Sequence, residues 1–253
     1  MANETFNTFG RSTVADQATF DAGLRAHMVR VYNYMASGLV LSGIVAFALA
    51  SLPELQTIFF QMARTRGGNL VPVGMTLMGW IAVLAPIGLL LLVSFRAEKM
   101  SLMGVQAIYW TVTALMGVSL SVILMRYTGA SVARTFFVTA AAFGALSLYG
   151  YTTKRDLSAW GKFLFMGLVG LMLASLVSVF FPSTMLSFII SAVGVLIFSA
   201  LIAYDTQTIK EQYSDAWGTE GLEKIAVFGA LSLYLDFVNL FQFLMSFLGQ
   251  SKD

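Results

Sequence analysis

The sequence predicts an all-α integral membrane protein with seven transmembrane helices. The chain of 253 residues is 58% hydrophobic and only 11% charged, whereas roughly a quarter of the residues of a soluble domain are charged. Apolar runs of about 20 residues, the length that crosses the hydrocarbon core of a bilayer, recur along it. Because open strands and loops cannot face lipid at that depth, the spans are expected to be helices.

The predicted spans are separated by short polar turns, and prolines mark two of their boundaries. The first span ends at Pro53, and Pro182-Ser183 is expected to divide a charge-free run that is too long for one helix. The spans are Tyr34–Leu52, Val73–Phe95, Leu102–Met125, Thr135–Tyr151, a fifth and a sixth within Phe163–Tyr204, and Ile225–Leu248. Residues 53–72 are expected to be an extended loop between the first two.

Two domains are predicted, a polar N-terminal tail over residues 1–31 and a seven-helix transmembrane domain over residues 32–250. The first 20 residues are expected to be disordered. Residues 20–31 place Phe20, Leu24, Met28 and Val31 on one helical face. Such a segment is either an amphipathic interfacial helix or a plain extension of the first span. No cleavable signal is expected, because the start of the chain lacks an apolar core.

The distribution of basic residues favours an N-terminus in the cytoplasm and a C-terminus outside. With seven spans in that orientation, ten of the fifteen lysines and arginines fall in inside segments and five in outside segments. Short cytoplasmic loops of membrane proteins carry such an excess. We therefore expect a multi-pass protein of a bacterial inner membrane.

Composition excludes several classes of function. The chain has no cysteine, which excludes thiol catalysis, disulfides and thiolate metal sites. Its one histidine, His27, precedes the first span, which argues against a zinc site or a histidine relay. A net charge of +2 gives no reason to expect binding to nucleic acid.

Asp236 is the strongest candidate for a functional residue, because it lies near the middle of the last span. A charge at that depth costs at least about 2.5–3.5 kcal/mol, so intramembrane acids usually have a partner or a purpose. Asn239, three residues on, shares its helical face and is a polar helper in this interpretation. The alternative is a protonated carboxyl that serves packing alone.

Asp205 ends the apolar run before it, and we expect the two carboxyl groups to meet inside the bundle. Alone, Asp205 could equally be a solvated residue at the membrane boundary. Two carboxylates in a dry site cannot both ionise cheaply, so they are expected to share a proton. Doubly ionised, the pair would suit a hard cation such as Ca²⁺. Arg96, at the end of the second span, is the nearest expected counter-charge by depth.

A different chemistry also uses two aspartates on the sixth and seventh helices, that of intramembrane aspartyl proteases. Tyr204-Asp205 fits their first motif. Asp236, however, follows Leu233-Tyr234-Leu235 instead of a Gly-x-Gly pattern, and no Pro-Ala-Leu follows it. Two of three elements are missing, so we expect no enzymatic activity.

The heptapeptide FGALSLY occurs twice, at residues 143–149 and 228–234, on predicted helices that run in opposite directions. An inverted repeat of the kind found in transporters would place two such segments symmetrically. The match is short and made of common membrane residues. We therefore interpret it as generic helix packing.

The chain resembles the Bax inhibitor-1 (transmembrane Bax inhibitor motif) family, in its bacterial branch. The resemblance rests on AYDTQTIK at 203–210, ALSLYLDFVNLF at 230–241, the seven-span layout and the Arg-x-x-Lys at 96–99. It implies a bundle with the last helix at its centre and a pH-sensitive calcium leak. By residue match it implies that Asp205 and Asp236 are the proton sensor and that Arg96 latches the closed state. One bacterial relative is associated with modulating a membrane-bound AAA protease.

From these observations we expect a passive, pH-dependent Ca²⁺ leak channel. Asp205 and Asp236 would form the sensor and the cation site, with Ca²⁺ and protons as permeant or bound ions and no cofactor. One alternative is a stress-response regulator of a membrane-bound AAA protease with little transport of its own. Another is a proton-coupled cation exchanger that uses the same aspartates.

Overall fold

The computed structural model describes residues 2–64, 70–96 and 99–252, with side chains described over 17–64, 72–96, 99–214 and 216–252. Within these ranges seven helices are long and apolar enough to cross a membrane, which confirms the predicted all-α class. In order the elements are α1 (Ala2–Ser51), α2 (Pro53–Phe59), β1 (Phe60–Arg64), β2 (Leu70–Met75), α3 (Leu77–Arg96), α4 (Leu102–Arg126), α5 (Gly129–Thr152), α6 (Ser158–Phe180), α7 (Thr184–Glu211) and α8 (Gly218–Leu248).

Hydroxyl side chains cap the starts of three spanning helices. Ser101 accepts a hydrogen bond from the Gly104 backbone at 3.2 Å, and Thr128 and Ser183 cap α5 and α7 in the same way. Each cap satisfies one of the backbone N–H groups that a helix N-terminus leaves without a partner. Ser183 follows Pro182, so the predicted division of the long apolar run at this dipeptide is confirmed.

Helix α8 lies at the centre of the bundle. It packs against α1, α4, α5 and α7, while α3 packs on α4 and α6 on α7 at the outside. In the most apolar stretch of α8, 61% of the residues are buried, whereas the share is at most 33% in any other candidate span. The other spans present large apolar side chains to the lipid. The expected central position of the last helix is therefore confirmed.

The region between the first two spans differs from the expected loop. It contains α2 and an antiparallel hairpin of β1 and β2, in which Phe60 pairs with Met75. The second span was predicted to begin at Val73, but Val73 lies in β2 and α3 begins at Leu77. Apolar composition alone made residues 73–76 look like part of the span. The hairpin forms there because Phe60, only 3% exposed, packs against α1, α3 and α4 and ties its strand to the bundle.

Residues 20–31 continue the first span as part of α1. Leu24, Met28 and Val31 are buried against the bundle, and the Phe20 ring contacts the ring of Tyr213 in the turn after α7. The plain helical extension is therefore the correct one of the two alternatives. The expectation that residues 1–20 are disordered is wrong over residues 2–20, which form the start of α1; the side chains of residues 1–16 lie outside the described residues.

Candidate functional site: a carboxyl pair between α7 and α8

The two candidate aspartates meet in the interior of the bundle. Asp236 lies on the central helix α8 and is only 5% exposed. Asp205, near the end of α7, is half-buried. Their carboxyl groups lie close enough to interact directly with each other. A carboxylate can only accept hydrogen bonds, so a hydrogen bond between the two carboxyl groups needs one shared proton.

One oxygen of Asp236, Oδ2, is buried and has no hydrogen-bond donor among the described residues. A buried polar atom without a partner costs about 1–3 kcal/mol, so the exceptions in a native structure call for an explanation. Here Oδ2 is an acceptor that a proton shared with Asp205, a water molecule or a cation could satisfy.

The polar residues of the segment AYDTQTIK hold α7 in place around Asp205. Thr206 Oγ1 lies 3.0 Å from Ser147 Oγ on α5, and Lys210 Nζ donates to the carbonyl of Tyr151 at 2.8 Å. The Gln207 side chain accepts from the Leu157 backbone at 2.8 Å and donates to a neighbouring carbonyl of the same turn. These bonds fix the height and rotation of α7, and so the direction of the Asp205 side chain.

A close approach of α5 and α7 sets the spacing of the same region. Gly150 faces the backbone of Ala203, two residues before Asp205, and a Cβ added there would lie 2.2 Å from the Ala203 carbonyl oxygen. Only a glycine fits at such a distance, because small residues let membrane helices approach closely. Gly161 of α6 likewise faces the ring of Tyr204.

Helix α8 is fixed on its other side by a buried cluster of hydroxyl groups. Tyr234, fully buried two residues before Asp236, has its hydroxyl 2.6 Å from Ser42 Oγ on α1. Ser42 also donates to the Thr113 carbonyl of α4 at 2.7 Å. The cluster therefore joins three helices at the level of the carboxyl pair.

Sequence reasoning missed a chain of three hydroxyl groups beside Asp205. The hydroxyl of Tyr32 on α1 lies 2.7 Å from Ser147 Oγ, and Ser147 in turn contacts Thr206. The sequence feature that could have indicated part of this chain of hydroxyl groups is Thr206, which directly follows Asp205. Nothing in the sequence indicated that Tyr32 and Ser147, 115 residues apart, would meet.

The other two predicted site residues lie apart from the pair. Arg96 is exposed at the end of α3 and forms no ion pair with any described residue. Asn239 is half-buried and donates to the Leu235 carbonyl of its own helix at 2.8 Å. Their roles as counter-charge and polar helper stay predictions.

An ion pair that the sequence did not single out joins the start of α8 to α1. Glu223 accepts from Arg30 at 2.9 Å and from the Tyr34 hydroxyl at 2.8 Å. Gln106 of α4 donates to the same hydroxyl at 2.8 Å. Among the described residues, Arg30 and Glu223 therefore form the ion pair that joins α1 to α8 at this end.

The pair offers few ligands to a metal ion. Among the described residues no group of three or more His, Cys, Asp or Glu side chains could hold a metal. Ca²⁺ takes six to eight oxygen ligands, and two carboxylates supply at most four. Water or backbone carbonyls would have to supply the rest.

Comparison with known proteins places the chain among bacterial membrane proteins. The family model described as inhibitor of apoptosis-promoting Bax1 matches residues 24–253. An uncharacterized protein of Caulobacter vibrioides is 47% identical, over 99% of this chain and 100% of its own length. One of Rickettsia prowazekii is 43% identical, over 96% and 97%. The inner membrane protein YbhL of Escherichia coli K12 is 39% identical, over 91% of this chain and 94% of its own length.

Proposed function

The chain belongs to the Bax inhibitor-1 family of multi-pass membrane proteins, and from this premise we propose that it is a pH-sensitive Ca²⁺ leak of the bacterial inner membrane. The inner membrane is proposed from the likeness to YbhL. The orientation, with the N-terminus in the cytoplasm, is proposed from the excess of basic residues in the inside segments. The turn between α7 and α8 then faces the cytoplasm.

The contact between the carboxyl groups of Asp205 and Asp236 is the observation that carries this proposal. With one shared proton the pair holds α7 against the central helix and offers little negative charge. When that proton leaves, two unit charges about 4 Å apart repel by about 4 kcal/mol at an effective dielectric constant of about 20. A divalent cation relieves that repulsion. Protons and Ca²⁺ thus compete for one site.

Arg96 enters the proposal as a counter-charge for the ionised pair. Because it is exposed at the end of α3 in this structure, that role requires the end of α3 to move toward the carboxyl groups. Replacing Arg96 by glutamine should then change the pH at which the leak is half-maximal and leave the shared proton of the pair in place.

The test is Ca²⁺ flux into dye-loaded liposomes that contain the purified protein, at several pH values and without an imposed proton gradient. Wild-type flux should depend on pH. Asp205→Asn and Asp236→Asn should lose that dependence, because a single carboxylate has no like charge to repel. Asp156→Asn, which removes an exposed carboxylate in the turn before α6, is the matched control and should behave as wild type near neutral pH.

Three results would contradict the proposal. Flux no greater than that of empty liposomes at every pH would favour the protease-regulator alternative. Flux only under a proton gradient would favour the exchanger. A pH-dependent flux that both aspartate substitutions leave unchanged would separate the leak from the pair.

A further inference from the structure

A groove of about 510 Å³ lies open between α1 and α5. It exists because α1 packs mainly on α4 and α8, while α5 packs mainly on α7 and α8, so the two helices leave a gap between them. A volume of this size falls within the range of sites that take small molecules. Both walls belong to helices that are long and apolar enough to span a membrane, so lipid is the expected source of a ligand for the groove.

The lining of the groove is apolar along its length and cationic at one end. Phe143 and Leu148 of α5 and Met28 and Val29 of α1 form the apolar walls. Arg25 lines the end near the turn between α7 and α8; it is exposed and forms no ion pair with any described residue. An apolar slot with a free guanidinium at its mouth complements a lipid whose headgroup carries a phosphate.

A second cation lies at the same end. Lys210 of α7 stacks its ammonium group over the ring of Tyr151, 5.3 Å from the centroid, and Tyr151 itself lines the groove. The planar guanidinium group of Arg25 suits bidentate hydrogen bonding to phosphate oxygens, and Lys210 adds a second positive charge nearby. The apolar walls suit one acyl chain.

We propose that the groove between α1 and α5 is a binding site for one anionic phospholipid, with its phosphate at Arg25 and an acyl chain along α5. Tyr32 and Ser147 also line the groove. The hydrogen bonds between their hydroxyl groups continue to Thr206, the residue after Asp205. A lipid bound there contacts the part of the bundle that positions the carboxyl pair.

Gly144 provides a sharp test, because a Cβ built there meets no atom within 4 Å although Gly144 lines the groove. Gly144→Leu should therefore fill the groove without disturbing the helix packing. Gly170→Leu is the matched control, since Gly170 is also exposed with no atom within 4 Å, but lies on α6 outside the groove.

The measurement is native mass spectrometry of the full chain released from nanodiscs that contain equal amounts of phosphatidylglycerol and phosphatidylcholine. Wild type and Gly170→Leu should retain one phosphatidylglycerol in preference to phosphatidylcholine, and Gly144→Leu should lose it. Arg25→Gln should weaken retention about fivefold, the factor that corresponds to about 1 kcal/mol per basic residue near an anionic surface.

Equal retention of the two lipids by wild type would mean annular lipid only and would overturn the proposal. Equal retention of phosphatidylglycerol by Gly144→Leu and Gly170→Leu would overturn it as well. Binding is measured here without flux, so a failure of the lipid site and a failure of the Ca²⁺ leak are distinguishable.

Discussion

Substituting Gly150 by alanine tests the helix contact that positions Asp205. The added Cβ would lie 2.2 Å from the Ala203 carbonyl oxygen, against the 3.4 Å or more of an ordinary contact. The neighbouring atoms are backbone and cannot turn away, so α5 and α7 must separate. Forcing extra atoms into a packed interior costs about 1–3 kcal/mol.

Alanine also has a better helix propensity than glycine, by about 0.5–1 kcal/mol. Gly144→Ala on the same helix isolates this term, because its Cβ meets no atom within 4 Å. The two variants should therefore differ in free energy of unfolding by about 1–3 kcal/mol, with Gly150→Ala the less stable.

The assay is reversible unfolding of both variants and wild type in mixed detergent micelles, followed by far-ultraviolet circular dichroism. Because the displaced α7 carries Asp205, Gly150→Ala should also change the pH dependence of Ca²⁺ flux, and Gly144→Ala should not. Equal stability of the two variants would refute the close contact between α5 and α7 and, with it, the placement of Asp205.

Two further predictions concern hydrogen bonds. Ser42→Ala leaves the fully buried Tyr234 hydroxyl without its partner, so it should lower the free energy of unfolding by about 1–3 kcal/mol. The control Ser37→Ala lies on an exposed turn of the same helix and should change the free energy of unfolding little. Equal losses of stability in the two variants would contradict the buried cluster. Hydrogen bonds from Ser158 hold the pKa of Asp156 below its usual value. The stabilising contribution of Asp156 is therefore complete above its pKa in the unfolded chain and is lost as pH falls through its lower pKa in the folded chain. In thermal unfolding at a series of pH values, Asp156→Asn should remove this part of the loss of stability in acid, and an unchanged loss would contradict these hydrogen bonds.

The pairing of the two aspartates could be expected from the sequence for a physical reason. A carboxyl group in an apolar span is costly unless it finds a partner. Asp205 and Asp236 lie on consecutive helices, α7 and α8, and each is the acid that its apolar span carries. The structure has the expected contact.

The hairpin and the hydroxyl chain could not be expected in the same way. Residues 70–75 are apolar enough to extend a span, and their pairing with 60–64 depends on where Phe60 finds a buried position. The contact between Tyr32 and Ser147 depends on the rotation of α1 and α5 about their own axes. Hydropathy averaged over a window of residues predicts neither the strand pairing nor the rotation of these helices.

Arg96 illustrates the limit of an argument from depth. Its position at the end of the second span placed it at the level of the carboxyl pair, but α3 packs on α4 at the outside of the bundle. In this structure the charge at the end of that outer helix is exposed. Height follows from counting residues, whereas lateral position follows from which helices pack together.

The two copies of FGALSLY divide what the sequence determined from what the tertiary structure decided. The apolar composition of both copies determines that each forms part of a transmembrane helix, because outside the membrane their apolar side chains would be exposed to water. Ser147 is buried in the first copy, while its counterpart Ser232 is exposed; Tyr149 is 48% exposed, while Tyr234 is fully buried. The same seven residues turn different faces inward because α5 lies in the outer ring and α8 at the centre. The number of spans and the depth of the charges are local properties of the chain, and the choice of partner belongs to the packed bundle.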